Sequence, residues 1–242
     1  MRTCTILTIL IPTLSLLSTA LQAASLQVSP ISIEVQAPGA AATVTLRNEG
    51  SSALDAQIRV FRWSQVDGED KLEPTADVVA SPPTVTLAPH ADYTARLVRV
   101  AKRPLDIGES YRLLVDELPA GTDRRNRVVT LVLRYSIPLF FYPRGAAEAK
   151  LAWSIERRDG RLYVAASNIG DRHARISALA LRDPKGGGLS FGSGLTGYVL
   201  GRSGMRWVAP GNTQGMATSG SVVISGQSDG GPFNASAMQS AR

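Results

Sequence analysis

The catalytic patterns in this chain all fall in one glycine-rich stretch. Gly188-Leu189-Ser190-Phe191-Gly192 fits G-x-S-x-G, the sharp turn that lifts a nucleophilic serine above a parallel sheet. That chemistry needs a helix directly after the serine and an acid and a histidine later in the chain. No helical pattern follows Ser190, and both histidines, His90 and His173, precede it. Overlapping it, Gly192-Ser193-Gly194-Leu195-Thr196-Gly197 fits G-x-G-x-x-G, yet it runs into Tyr198-Val199-Leu200 and not into a helix whose N-terminus could hold a phosphate. Asp116 and Glu117 are paired carboxylates in sequence only. Neighbours on a strand point to opposite faces, so they cannot share a substrate, and one is expected to face solvent while the other pairs with an arginine. His90, beside Pro89, reads as a turn residue and His173 as a surface residue. Cys4 is the only cysteine, so a thiolate metal site is excluded, and two histidines make an imidazole site improbable. Neither an enzyme nor a cofactor-binding protein is expected.

The elements that carry these residues are strands. At 242 residues and 44% hydrophobic content the chain can form one large core or two smaller ones. The 22 glycines and 14 prolines, with Val, Leu, Thr and Tyr in short blocks, suit strands and turns and rule out a mostly helical protein. The formal charge of +6 is scattered, with Arg124, Arg125 and Arg127 the densest group. This favours a local patch for an anion or acidic partner over a nucleic-acid footprint.

Residues 1–24 form a separate object: Arg2, an apolar stretch from Cys4 to Leu21 broken by Pro12 and several Ser and Thr, then the small residues Ala23-Ala24-Ser25. This reads as a secretory signal peptide, and no second apolar segment is long enough to span a membrane. The mature chain is then exported, soluble and free of cysteine. It must hold together by core packing without disulfides.

From residue 25 to about 145 the sequence predicts seven strands. Val28 to Val35 alternates as one strand, Pro38-Gly39 turns, and Thr43–Leu46 ends at the turn tripeptide Asn48-Glu49-Gly50. Gln57–Trp63 alternates polar and apolar, and Val66-Asp67-Gly68-Glu69-Asp70 reads as an exposed loop. Short strands follow at Thr84–Leu87, Tyr93–Val100 and Ser110–Pro119. The last is the most informative: Val129, Leu131, Leu133, Tyr135, Ile137, Leu139 and Phe141 place an unbroken apolar face along about 14 residues, where strands commonly run five or six. Pro138 within it cannot donate a ladder hydrogen bond, so this strand is expected at an edge or as a bridge between domains. Residues 146–242 carry a second, smaller set: a hairpin turning at Asp159-Gly160, strands at Arg175–Leu181, Tyr198–Leu200 and Met205–Val208, and a Gly/Ser/Asn/Gln-rich end with one clear strand, Ser221–Ile224. The expected fold is all-β, with two immunoglobulin-like β-sandwich domains in tandem and an end that is partly mobile.

Several blocks carry a resemblance: Asn48-Glu49-Gly50, Ile58–Trp63, Ser81-Pro82-Pro83, Ser110–Pro119 and Arg134-Tyr135-Ser136-Ile137-Pro138-Leu139-Phe140. Together they resemble the periplasmic pilus-assembly chaperones of the chaperone–usher pathway, and more narrowly its archaic branch serving spore-coat-protein-U-like subunits. The resemblance covers about residues 26 to 209. It implies a periplasmic protein of fimbrium biogenesis and cell wall organization that binds a pilus subunit one to one by donor-strand complementation and delivers it to an outer-membrane usher. Strand addition of this kind has chaperone–pilin complexes among its standard examples. By position, Val129, Leu131 and Leu133 are the implied donor residues. The better-known branch anchors the subunit's C-terminal carboxylate with an Arg on the first strand and a Lys on the last, but the corresponding places here hold Glu34 and Pro138. Arg112 and Arg134 are therefore the candidate anchors, with Arg96 third. Two other classes compete: an exported immunoglobulin-like pilus subunit or adhesin, which would want a free N-terminal donor extension, and an exported hydrolase using Ser190.

Overall fold

Alternation of apolar and polar side chains sets the first layers. In β1 (Leu26–Ser29) and β2 (Ile33–Gln36) every second residue is buried. The expected single strand from Val28 to Val35 is thus two. β1 pairs antiparallel with β3 (Ala41–Asn48), whereas β2 belongs to the opposite sheet, and the chain crosses over at Pro30-Ile31, where Ile31 stays exposed. Pro30 has no N–H to continue a ladder, so pairing ends there. A computed structural model describes residues 25–119, 132–211, 213, 216 and 220–241. The leader expected over 1–24 and the donor positions Val129 and Leu131 lie outside them.

The first sandwich continues with β4 (Leu54–Val66), β5 (Glu69–Pro74), β6 (Val78–Ser81), β7 (Thr84–Leu87), β8 (Asp92–Arg99), β9 (Glu109–Leu118) and β10 (Arg134–Tyr142). One sheet runs β1-β3-β8-β6 and the other β2-β10-β9-β4-β5, with β7 on β4. Leu46, Leu97, Leu113, Val115, Leu139 and Phe141 from both sheets meet in one buried core. The stretch expected as an exposed loop at 66–70 is a hairpin: Asp67 and Gly68 both take positive φ, 54° and 79°, the paired left-handed conformations of a two-residue turn. A side chain at 68 would also meet the Arg206 Cβ at 2.8 Å. β5 escaped the pattern because all six of its residues are exposed; its Glu, Asp, Lys and Pro protect a free sheet edge.

The second unit comprises β11 (Leu151–Arg158), β12 (Arg161–Asn168), β13 (Ala174–Arg182), β14 (Gly188–Ser190), β15 (Leu195–Val199), β16 (Ser203–Val208), β17 (Gly220–Ser228) and β18 (Gly231–Ala241). They form one sheet in the order β14-β13-β17-β18-β11-β12-β16, with β15 on β13. Side chains from nearly all these strands share one core around Ile155, Val164, Ile176, Leu179 and Ile224, so the sheet must curl over itself into two layers. The Gly/Ser-rich end carries two strands where one was expected, and they hold the centre of the sheet between β13 and β11.

Both units close with the same device. At the end of β3, buried Asn48 donates from Nδ2 to the carbonyls of Ser52, Leu87 and Ala88 and accepts the Gly50 N–H at 2.9 Å. At the end of β12, buried Asn168 donates to the carbonyls of Arg172, Val199 and Leu200 and accepts the Gly170 N–H at 3.0 Å. One amide satisfies several carbonyls where strand ends meet the loops. The chain is all-β, two immunoglobulin-like sandwiches in tandem, and among the described residues it contains no helix.

Candidate functional site

β10 is an edge at one end and a bridge at the other. Against β9 it pairs from Arg134 to Phe141; on its other side β2 covers only Leu139–Tyr142. From Arg134 to Pro138 the strand therefore has β9 on one flank and no strand among the described residues on the other. Pro138 is the last residue of that open stretch, where its missing N–H costs no ladder bond to β2. The apolar face expected to run through Leu133 does so: Leu133 and Tyr135 are half-buried against the first core, and Ile137, Leu139 and Phe141 are buried within it. The opposite face turns Phe140 and Tyr142 into the junction between the two sandwiches.

Of the three candidate anchors, Arg112 lies nearest that junction. It sits opposite Pro138 on β9, its guanidinium carbon 3.7 Å above the Trp63 ring and 5.1 Å from that of Tyr198 of the second unit. Burial holds its pKa below the usual guanidinium value, and no acid among the described residues forms an ion pair with it. Arg134 is committed elsewhere: with Arg59 it grips Asp116, Arg59 Nη2 standing 2.6 Å from the carboxylate. Asp116 stays below the ordinary carboxylate pKa, since the bonds to Arg134 and Arg59 outweigh its burial. The arginine partner expected for one of the acidic pair is thus two arginines on Asp116. Four register positions, about 13 Å of strand, separate Arg134 from Arg112, so the fold does not bring these two together. Arg96 is exposed on β8, opposite Thr43 and Ser81, in the other sheet.

Trp63, the floor beneath Arg112, is buried and donates its indole N–H to Asp70 at 2.9 Å. Tyr198 packs edge-on against it at 5.4 Å between ring centroids. Beside them Phe140 stacks on His173 at 3.8 Å, and the Tyr142 hydroxyl bonds His173 Nδ1 at 2.6 Å. His173 is therefore not the surface residue expected. Its ring is buried at the junction, and loss of solvent pulls its pKa down to about 4. No local sequence signal marked it, because what buries it is aromatic residues more than 20 positions away. Glu34, at the place where the resemblance leads one to seek a cation, ion-pairs with Arg172 across the junction. His90 takes φ 58° in a turn, as expected.

The glycine patterns have no catalytic setting. Gly188–Ser190 is β14, Ser190 Oγ accepts the Gly192 N–H at 3.1 Å, and Leu195–Val199 is a strand.

A family model for pili and flagellar-assembly chaperones, PapD N-terminal domain, matches residues 25–147. Among curated proteins none matches. Among solved structures, the chain is similar to one in the CsuC–CsuE chaperone–tip adhesion subunit pre-assembly complex from archaic chaperone–usher Csu pili of Acinetobacter baumannii. The identity is 26% and the TM-score 0.69, over 90% of this chain and 100% of that one. A chain of the Salmonella enterica SafA pilin complex with the SafB chaperone shares the fold at 16% identity and TM-score 0.60, covering 88% of this chain and 96% of that one. The Pseudomonas aeruginosa CupB2 chaperone does so at 18% identity and TM-score 0.53, covering 87% and 98%.

Proposed function

Since this chain belongs to the pili and flagellar-assembly chaperone family, we propose that it works in the periplasm, after removal of residues 1–24, as a non-enzymatic holder of pilus subunits. It takes one subunit by donor-strand complementation and passes it to an outer-membrane usher. Residues 25–145 form the donor domain and 146–242 the second. The observation that carries this reading is the open flank of β10 over Arg134–Pro138, preceded in sequence by Val129, Leu131 and Leu133 and leading to Arg112, whose guanidinium forms no ion pair with an acid among the described residues. An extended strand laid along that flank gains main-chain hydrogen bonds whatever its sequence, and its side chains meet the apolar row. Arg112 is the candidate for holding the strand's terminal carboxylate. Arg134, tied to Asp116, and Arg96, in the opposite sheet, are poorer candidates. The related Csu complex, which pairs a chaperone with a tip adhesion subunit, supports a subunit as the partner.

The test is co-expression of the mature chain with its cognate subunit. A soluble one-to-one complex that forms and persists without nucleotide is expected. A requirement for ATP in holding or handover, or polymerisation of the purified chain alone, would overturn the reading.

A further inference from the structure

We infer that Gln65 is a positioning residue for the carboxylate anchor, holding both aromatic walls of the Arg112 cradle across the junction of the two sandwiches. This rests on the reading of Arg112 as the anchor. Gln65 lies two residues beyond Trp63 on β4, on the same face of the strand. Its Nε2 donates to the Tyr198 carbonyl at 2.8 Å and to Asp70 Oδ1 at 2.9 Å, and its Oε1 accepts the Leu200 N–H at 2.9 Å. The amide thus pairs with residues 198 and 200 as a neighbouring strand's backbone would, which needs a donor and an acceptor on one side chain. Asp70 Oδ1 also receives the Trp63 indole N–H. One side chain therefore ties the floor of the cradle, through Asp70, and its wall, through the Tyr198 carbonyl. The hairpin carries the tie further: Ser203 Oγ donates to the Gln65 carbonyl at 3.4 Å and the Arg206 N–H to the Gly68 carbonyl at 3.0 Å. No acid among the described residues forms an ion pair with Arg112, so its guanidinium takes its direction from these two rings.

The experiment uses the mature chain, Arg112→Ala, Gln65→Met and Gln65→Asn. The probe is a synthetic peptide of the last strand of the subunit that co-purifies, made with a free C-terminal carboxylate and as the C-terminal amide. The parent should bind the acid form about tenfold or more tightly than the amide, and Arg112→Ala should lose that preference. Gln65→Met removes both hydrogen-bonding groups at nearly constant volume, and Gln65→Asn leaves them one methylene short. Both should bind the amide as the parent does while their preference for the acid falls below about threefold. Loosening of the junction alone would weaken both peptides equally, and that outcome overturns the role of Gln65. So does a full acid preference in both Gln65 variants. A parent with no acid preference overturns the anchor itself, and a thermal melt of each variant separates these results from misfolding.

Discussion

Arg112 carries a buried charge whose contacts among the described residues are two aromatic faces, with Asp70 attracting it from beyond ion-pair distance. A cation over an indole gains about 0.5–2 kcal/mol, less than a hydrogen-bonded carboxylate would return at a site already stripped of water. That imbalance is the reason Arg112 is proposed as the receptor for an anion, and it separates Arg112 from Arg134. The Arg134 side chain is 63% exposed and its acid, Asp116, keeps Arg59 when Arg134 is removed. Arg112→Ala should therefore weaken subunit capture by more than about tenfold while leaving the chaperone as stable as the parent or slightly more so, because a desolvated cation is gone. Arg134→Ala should leave capture within about threefold, as suits an exposed pair. Titration of the subunit peptide and a thermal melt of each variant measure both expectations. Equal capture by both variants and the parent would place the carboxylate elsewhere.

The strand that ends at Tyr142 shows what period two can and cannot reveal. Alternation correctly assigned Ile137, Leu139 and Phe141 to the core face, and Pro138 correctly announced a flank without full pairing. The Asp159-Gly160 hairpin was equally legible, since both residues take the positive φ that such a turn demands. What stayed hidden was whatever depends on partners distant in sequence. β5 has no buried face to betray it, β1 and β2 look like one strand until Pro30 sends them to different sheets, and Gln65 and His173 acquire their roles from the other sandwich. Along the proposed donor row the same logic divides neighbours. Leu133 already packs on the first core, so Leu133→Glu should lower the melting temperature as well as capture, burying part of a carboxylate without a partner. Leu131→Glu, two residues earlier in the sequence, should melt within a few degrees of the parent yet fail to hold a subunit, because on the donor-strand proposal the charge would have to enter the subunit's apolar groove. A thermal melt and a co-purification on each decide it: an unfolded Leu131→Glu would assign the whole row to the chaperone's own core.

At the scale of the whole molecule, the junction between the sandwiches sets Tyr198 of the second unit against Arg112 of the first, and that junction is aromatic with a titratable member. His173 lies between Phe140 and Tyr142 of one sandwich and its own, with Glu34 and Asp229 each 3.9 Å from Nε2 and Arg172, Arg175 and Arg112 nearby. Burial holds its pKa near 4, against about 6.5 in an unfolded chain. Below pH 6.5 the unfolded chain takes up a proton that the folded chain refuses until about pH 4. The stability contributed by neutral His173 is thus complete above pH 6.5 and lost progressively as pH falls towards 4, about 3 kcal/mol in all. Asp116 and Glu109, both held below the ordinary carboxylate range, add their own losses from about pH 5 downward; for each, burial is outweighed by other bonds, from Arg134 and Arg59 on Asp116 and from Arg99 and Tyr111 on Glu109. The two windows can be separated by one substitution. His173→Phe keeps a ring to stack on Phe140, and the Tyr142 hydroxyl keeps the backbone N–H of residue 173 at 3.2 Å, so the loss at neutral pH should be about 1 kcal/mol, one hydrogen bond. Denaturant unfolding of parent and variant from pH 7 to pH 5 should show the parent's stability declining and the variant's nearly flat, so that the curves converge and then cross. Parallel curves over that interval would mean that His173 takes up its proton in the folded chain over the same pH range as in the unfolded one, and that the junction tolerates the charge.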